Sequence, residues 1–396
     1  MRDLTGYYNE IAASHGRPVA DAVRELHSLF DDGIYKWLAG LWDGDIGGFY
    51  YSNSARDNAE FLPDMESTAQ AFNNLESTGI LAAMPVPDAM QKKAVAFMQS
   101  KQDPEDGYFY HPQWGKDINT SRRARDMGHG ISVMRRFGAT PLYPTAIDRI
   151  GAAAAGDGAV ATVPEHLRSK TAFIDYLEGL GINDNSYSIG HRIGQQAREI
   201  AAAGLTDVCI DFLNSTQKKN GFWEDTLSHS SSNGTMKISC TYVELGRPFP
   251  NIMTAIDSAI EVLLSDQPIT AITEIFNPPF TLLNFLEIMK RSGDSENLDR
   301  ARALIRDRAT DILRVTTERL IPFKKPDGAF SYLPRSSSFW SQGKPVCIEG
   351  SFESDVNANS LANGSRVRPL LILGITPPAI FDERDARTFY EMCGEM

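Results

Sequence analysis

Reactive side chains gather at three places in this chain. Asp64 and Glu66 stand two apart in PDMESTA, just ahead of a run with helical spacing. Carboxylates there cap free backbone N–H groups and suit the positive end of a helix, so the pair reads either as a cap with a buried Glu or as a general acid or base. With a second carboxylate across a cleft, either would serve cleavage of a glycosidic bond, the separation deciding retention or inversion. Arg125, Asp126 and His129 lie at i, i+1 and i+4, which sets Arg125 and His129 on one helix face with an acid beside them to orient the imidazole. Tyr187 and His191 repeat the four-residue spacing further on. A Tyr or His base beside an Arg that neutralises a carboxylate is the equipment of uronate β-elimination, and the same residues also read as an interface salt-bridge cluster. Glu224 and Asp225, Lys237, and Glu353 with Asp355 offer further charges, any of which supplies a second carboxylate or a substrate contact.

These residues need elements to hold them, and the chain repeats. A Gly followed by aromatic or apolar residues recurs at Gly48, Gly107, Gly158, Gly221 and Gly328, in steps of 59, 51, 63 and 107. The last step is nearly double, which places a degenerate unit near FNPPF, Phe276 to Phe280, and divides the chain into six units of roughly 55 residues. In phase with this marker, helical segments stop at a Gly followed by prolines: STGILAAMPVP, RRFGATPLYP, VELGRPFP and ILGITPP. Gly accepts the left-handed conformation and Pro cannot continue a helix, so each unit is a helical hairpin. One hairpin cannot bury its apolar face alone. Six stacked and closed give an all-α fold, an α/α toroid or (α/α)6 barrel with short β pieces at most in loops, spanning 1–396 as one domain with a helical lead-in over about 1–40.

Gln217, Gly221 and Trp223 resemble the Gln-x-x-x-Gly-x-Trp repeat of squalene and other terpenoid cyclases. MQSKQDPEDGYF resembles the looser version in protein prenyltransferase β subunits. PDMESTA looks like the cyclase segment that supplies the protonating acid, which the resemblance carries onto Asp64 and Glu66; Ser67 replaces the acid that follows. No Asp, Cys and His set matches the prenyltransferase zinc site. The likeness implies the toroid, which carbohydrate hydrolases and lyases also use.

In a toroid the helix after each Gly-aromatic loop is the inner one, with its N-terminal end towards the central cavity. Those helices are expected from Asp64, Arg122, Asn185, Met236, Phe280 and Asp355, and five of the six are strongly polar. The preceding loops, YYSNSARDN, HPQWGKDINTSRR, SHSSSNGT and PRSSSFWSQGK, mix aromatic rings such as Trp114 with Ser, Asn and Arg. Polar walls with aromatic platforms suit a sugar better than a hydrocarbon. The expectation is a carbohydrate-active hydrolase or uronate lyase with Asp64, Glu66, Asp126, His129, Tyr187 and His191 as catalytic candidates. Arg125, Trp114, Glu224, Asp225, Lys237, Asp355 and Asn357 are the candidate substrate contacts. An isoprenoid cyclase or transferase acting through Asp64 and Glu66 is the alternative, and a non-catalytic glycan- or protein-binding toroid the third reading.

A net charge of -12 repels nucleic acid and anionic membranes, favouring a small-molecule partner. Cys209, Cys240, Cys347 and Cys393 are scattered, with no metal or disulfide spacing, and GHG at Gly128–Gly130 lacks the context of a phosphate loop. No metal or cofactor is expected. Without an apolar leader or span the chain reads as cytoplasmic.

Overall fold

The computed structural model describes residues 2–156 and 163–396. Six helices line the centre: α1 (Met65–Thr78), α2 (Thr120–Arg136), α3 (Ser186–Gln195), α4 (His229–Leu245), α5 (Thr273–Ser292) and α6 (Val356–Ile372). Each packs on the next and α6 packs on α1, closing an α/α toroid. An outer layer surrounds them: Asp88–Gln99 lies on α2, Ile252–Leu264 on α5, and Ala309–Leu320 on α6. The N-terminal helix Arg17–His27 packs against Ala309–Leu320, and the C-terminal helix Glu383–Met392 against Gly33–Ala39. Two antiparallel pairs, β1 (Trp42–Asp43) with β2 (Gly48–Phe49) and β3 (Trp340–Ser341) with β4 (Lys344–Pro345), are the strands among the described residues.

The inner helices begin where a short polar side chain satisfies the first free N–H groups. Asp64 accepts from the Ser67 N–H at 2.8 Å, Asn119 from Arg122 at 2.8 Å, Asn185 from Ser188 at 3.0 Å and Asp355 from Ala358 at 2.7 Å. Ser228 and Ser231 form a reciprocal capping box for α4.

QKKNGFWED, residues 217–225, is a junction. The Lys218 N–H donates to the Phe222 carbonyl at 2.8 Å, a pattern repeated by Asp103 with Tyr108 and by Lys325 with Ala329. Gln217 Nε2 donates to the carbonyls of Gly221 (2.8 Å) and Pro250 (3.0 Å), tying the turn to the next outer helix. Gly221 has φ +80°, and a Cβ there would lie 2.6 Å from the Ala255 backbone nitrogen, so only Gly fits. Trp223 is fully buried against Tyr242 and Phe249. Gly158 falls outside the described residues.

Two helix starts differ from expectation. α4 begins at His229 instead of Met236, because SHSSSNGT is the polar first two turns of the helix and not a loop. These turns face the interior: Ser231, Ser232 and Thr235 are fully buried, and a Cβ on Gly234 would strike Ser186 of α3. α5 begins at Thr273, seven residues before Phe280, and carries Pro278 and Pro279 inside it. Proline removes a ladder hydrogen bond, yet its φ is helical, so the pair marks no stop here.

Candidate functional site

α1 brings its first turn to the centre. Asp64, 3% exposed, is consumed by its capping role, with Ser67 Oγ adding a second bond at 2.6 Å. Burial raises its pKa against the pull of Arg122 and Ser67. Glu66 is equally buried and is enclosed by donors. Its Oε1 accepts from Arg125 Nε (2.9 Å), Arg125 Nη2 (2.5 Å) and Gln70 Nε2 (3.1 Å). Its Oε2 accepts from Arg122 Nη1 at 3.2 Å and Ser341 Oγ at 3.1 Å. Burial by itself would raise this carboxyl, but Arg125 and Arg122 outweigh it and hold Glu66 far below the usual carboxylate range. It is an ionised carboxylate, not a proton donor.

Arg122 is fully buried and joins the cluster together. Its Nε donates to Asp126 Oδ2 at 2.9 Å, and its guanidinium lies 4.1 Å from the Trp114 ring centre. Burial pushes Asp126 up to about 7 despite that pairing. One turn on, burial and then Arg125 push His129 down to about 3, so its ring is neutral at physiological pH.

α3 and α4 supply the opposite wall. Tyr187 and His191 stack at 6.5 Å between ring centres. The His191 nitrogens make no hydrogen bond of full geometry, with the Gln342 side chain of the hairpin tip their weak hydrogen-bonding neighbour, and the residue is 8% exposed. Burial, reinforced by Lys237 and Arg125, pushes it down to about 2. Lys237 lies with its ammonium 5.9 Å from the Tyr187 ring centre, and burial pushes its pKa down to about 8.

The β3–β4 hairpin closes the N-terminal end of the ring. Arg122 Nη1 reaches the Ser341 carbonyl at 3.4 Å, Asn119 Nδ2 the Gln342 carbonyl at 3.3 Å, and Lys344 Nζ the Asp117 carbonyl at 2.9 Å. Gln342 and Gly343, with φ of +51° and +86°, make the tip. A non-Gly residue held at positive φ is strained, and such strain clusters at functional sites. A cavity of about 450 Å3 instead runs from Arg125, His129 and Cys240 to Arg135, Gln195 and Glu244, near the C-terminal ends of α2, α3 and α4. The cavity therefore opens at the end opposite to the expected one, because the hairpin occupies the other.

Glu66, Arg125, His129, Tyr187, His191 and Lys237 come together, with Trp114 and Asp126 behind Arg122. Asn357 joins through Gln70, whose Nε2 donates to its Oδ1 at 3.0 Å. Asp355 is a cap that also accepts from the Tyr332 N–H at 2.8 Å, and burial pushes it up to about 7. Glu224 holds the start of α3, accepting from the Ser186 N–H at 3.0 Å and Oγ at 2.6 Å. Asp225 pairs with Lys218 at 3.3 Å with its side chain 84% exposed, away from the cluster. Glu353 accepts from Ser52 Oγ and the Ser54 N–H, each at 2.8 Å. Each carboxylate singled out from the sequence is thus engaged by at least one protein group, although Asp126 Oδ1 is buried without a partner.

Sequence reasoning passed over Arg122, Ser341, Cys240 and Arg368. Only Arg122 had a local signal, the i, i+4 pairing with Asp126. The described residues hold no group of His, Cys, Asp and Glu arranged for a metal ion, and no helix among them is long and apolar enough to cross a membrane.

No family model matches the chain, and no curated protein matches it. Among solved structures it is similar to a protein from Actinoplanes, at 14% identity over 90% of this chain and 99% of that one, with a TM-score of 0.40. It is similar also to the type II terpene cyclase MstE from Scytonema in its apo form, at 14% identity over 88% of this chain and 98% of that one, again with a TM-score of 0.40. Neither likeness bears on the chemistry.

Proposed function

We propose that this chain is an enzyme that cleaves a glycosidic bond of an oligosaccharide inside the ring by uronate β-elimination, and not by hydrolysis between two carboxylates. One observation carries the reading: the two acids of PDMESTA are engaged, Glu66 by two arginines and Asp64 by its cap, whereas Tyr187 and His191 stack beside Arg125 with no acid bonded to either ring. In the reaction His191, neutral at physiological pH, takes the proton α to the uronate carboxylate. The electron pair forms the ring double bond as the C–O bond to the leaving sugar breaks, and Tyr187 donates its proton to the departing oxygen. The imidazolium proton then returns to the phenolate. Burial chiefly, then Lys237 and Arg125, depress His191; an anionic substrate offsets the charge part of that depression and so raises the basicity of the ring.

The test is to incubate the purified protein with uronate-containing oligosaccharides and follow the ultraviolet absorbance of the unsaturated product. New reducing ends without unsaturation would replace elimination by hydrolysis. Isoprenoid cyclisation is the second reading, favoured by the position of Glu66 in PDMESTA and by the edge-to-face pair Phe276–Phe280, 5.4 Å apart. It requires Glu66 to carry a proton in the complex, against the pull of Arg122 and Arg125. Turnover of a polyene or prenyl diphosphate that Glu66→Gln abolishes would decide for it.

A further inference from the structure

GHG, Gly128 to Gly130, interrupts α2 with two residues that weaken a helix. In the inner ring such glycines are otherwise explained by contact. Gly130 of α2, Gly190 and Gly194 of α3, Gly234 of α4 and Gly364 of α6 would each place a Cβ 3.1 Å or less from a neighbouring side chain or carbonyl. Gly128 is the exception, for a Cβ there meets nothing within 4 Å. It stands instead on the wall of the cavity of about 450 Å3, a size within the roughly 300–1,000 Å3 of small-molecule sites. Ala124, Gly128, Ser132 and Arg135 follow one another along that wall, and at a rise of 1.5 Å per residue the stretch is ~16 Å long. Gly128 lies near the midline of the stripe, with the small Ala124 and Ser132 one turn to either side. The cavity is therefore a groove along the helix. Ser132 and Arg135, with Gln195 facing them, make no side-chain hydrogen bond or ion pair to any described residue. The other charges of the groove are occupied: Arg198 Nε pairs with Glu244 Oε1 at 2.7 Å, and Glu199 Oε1 accepts from the Tyr108 hydroxyl at 2.9 Å.

We infer that the groove along α2 binds a short, linear, hydroxylated chain that lies against Gly128 and sets an anionic group of its outer end on Arg135. The missing side chain lets the ligand approach the helix closely. The Gln195 amide both donates and accepts, the Ser132 hydroxyl does the same, and the Arg135 guanidinium offers a fork to a carboxylate. A hydrocarbon in the same place would strip water from these three groups and return no partner. The inference deepens the reading above, since the chain is the part of the oligouronide beyond the reacting unit, and it rests on that reading for the sugar class alone. Arg125 stands both on the groove wall and on Glu66, so the inner end of the chain reaches the cluster beside Tyr187 and His191.

The experiment is calorimetric titration of the full-length protein with linear galacturonate and mannuronate oligomers of one to five units, and with the matching glucose oligomers as neutral controls. Affinity should rise with length until the groove is filled. Gly128→Phe, which fills the groove without a clash in the fold, should weaken the longer oligomers about tenfold or more and spare the shortest one that binds. Gly128→Ala should bind as the wild type does and melt at a slightly higher temperature, because alanine favours the helix. Arg135→Gln should weaken the uronate oligomers and leave the neutral ones unchanged. Thermal unfolding checks each variant, and where Gly128→Phe melts early, Ser132→Phe blocks the same wall one turn nearer the mouth. Affinity independent of length, affinity unchanged in a folded blocking variant, or no binding of any oligomer overturns the groove as this site. Length-dependent binding that Gly128→Phe removes, without any unsaturated product, keeps the groove and discards the elimination. Unsaturated product formed with the same KM in Gly128→Phe at every length keeps the elimination and discards the groove.

Discussion

Two charged regions a few residues apart along the same helices differ in how they are completed. Around Glu66 the positive and negative groups satisfy one another: two arginines, Gln70 and Ser341 surround one carboxylate, and Asp126 anchors Arg122 from behind. Lys237 and Arg368, both half-buried, form no salt bridge among the described residues, and Glu66 acts on Lys237 only from a distance. The first region is largely paired within the protein, although Arg122 Nη2, Asp126 Oδ1 and Gln70 Oε1 are buried without a partner, and the second is not. A buried network whose members are all bonded fixes one arrangement of the helices that carry it, whereas unpaired buried charge destabilises the empty protein. The acid pair legible in the sequence therefore belongs to the paired region, and the proposed chemistry to Tyr187 and His191 beside it.

The largest expected effect breaks the completed region. Glu66→Ala leaves Arg122 and Arg125 buried without their carboxylate and should lower stability by roughly 3–5 kcal/mol in urea unfolding. A loss below about 1 kcal/mol would mean that the clamp contributes little. Because its folded pKa lies below the ordinary 4.5, the contribution of Glu66 is complete above that pH and fades as the pH falls further; the variant lacks this fade.

Lys237→Met should do the opposite to stability: neutral, or a gain of under about 1 kcal/mol, because a half-buried charge without an ion-pair partner is replaced by an apolar chain of similar length. Turnover should be lost even so. A destabilisation as large as that of Glu66→Ala would erase the distinction between the regions.

The pH dependence sharpens the same point. Lys237 titrates near 8 in the folded protein against 10.5 unfolded, so between those values the unfolded chain binds more protons and stability rises with pH. Unfolding free energies measured at intervals from pH 7 to pH 10 should show this rise in the wild type and a smaller one in Lys237→Met. Identical slopes would place Lys237 in contact with solvent or an acid.

The smallest effect is expected at Asp225, the last residue of QKKNGFWED. Asp225→Asn removes one exposed partner of Lys218 and should change stability by less than about 0.5 kcal/mol and turnover not at all. A clear loss of activity would draw this junction back into the reaction.

Much of the fold was legible because its punctuation is local. Asp64, Asn185 and Asp355 announce helix starts, Gly79 and Gly246 end helices in left-handed caps, and Gly221 permits a close approach that no other residue allows. The reading failed where a general rule met a polar interior. Ser231, Ser232 and Thr235 look like loop residues, but the ring of α4 neighbours they face is itself polar. Tyr187, His191, Arg125 and Glu66 were found by spacing along single helices. Ser341 and Arg368 were not, since each reaches the centre from a different repeat and only ring closure brings it there. The hairpin tip, Gln342–Gly343, lacks the Asn-Gly or Asp-Gly signature that usually marks such a turn.

Ring closure also sets a timetable for synthesis. The helix Arg17–His27 packs on Ala309–Leu320, about three quarters of the chain length later. At ~5–20 residues per second its partner emerges from the ribosome roughly 15–60 s after it does. Through that interval Val19, Val23 and Leu26, all buried in the finished protein, have only earlier neighbours to cover them. The nascent chain is then an open arc with an adhesive early helix, and its yield in a cell depends on what shields that helix until Ala309–Leu320 arrives.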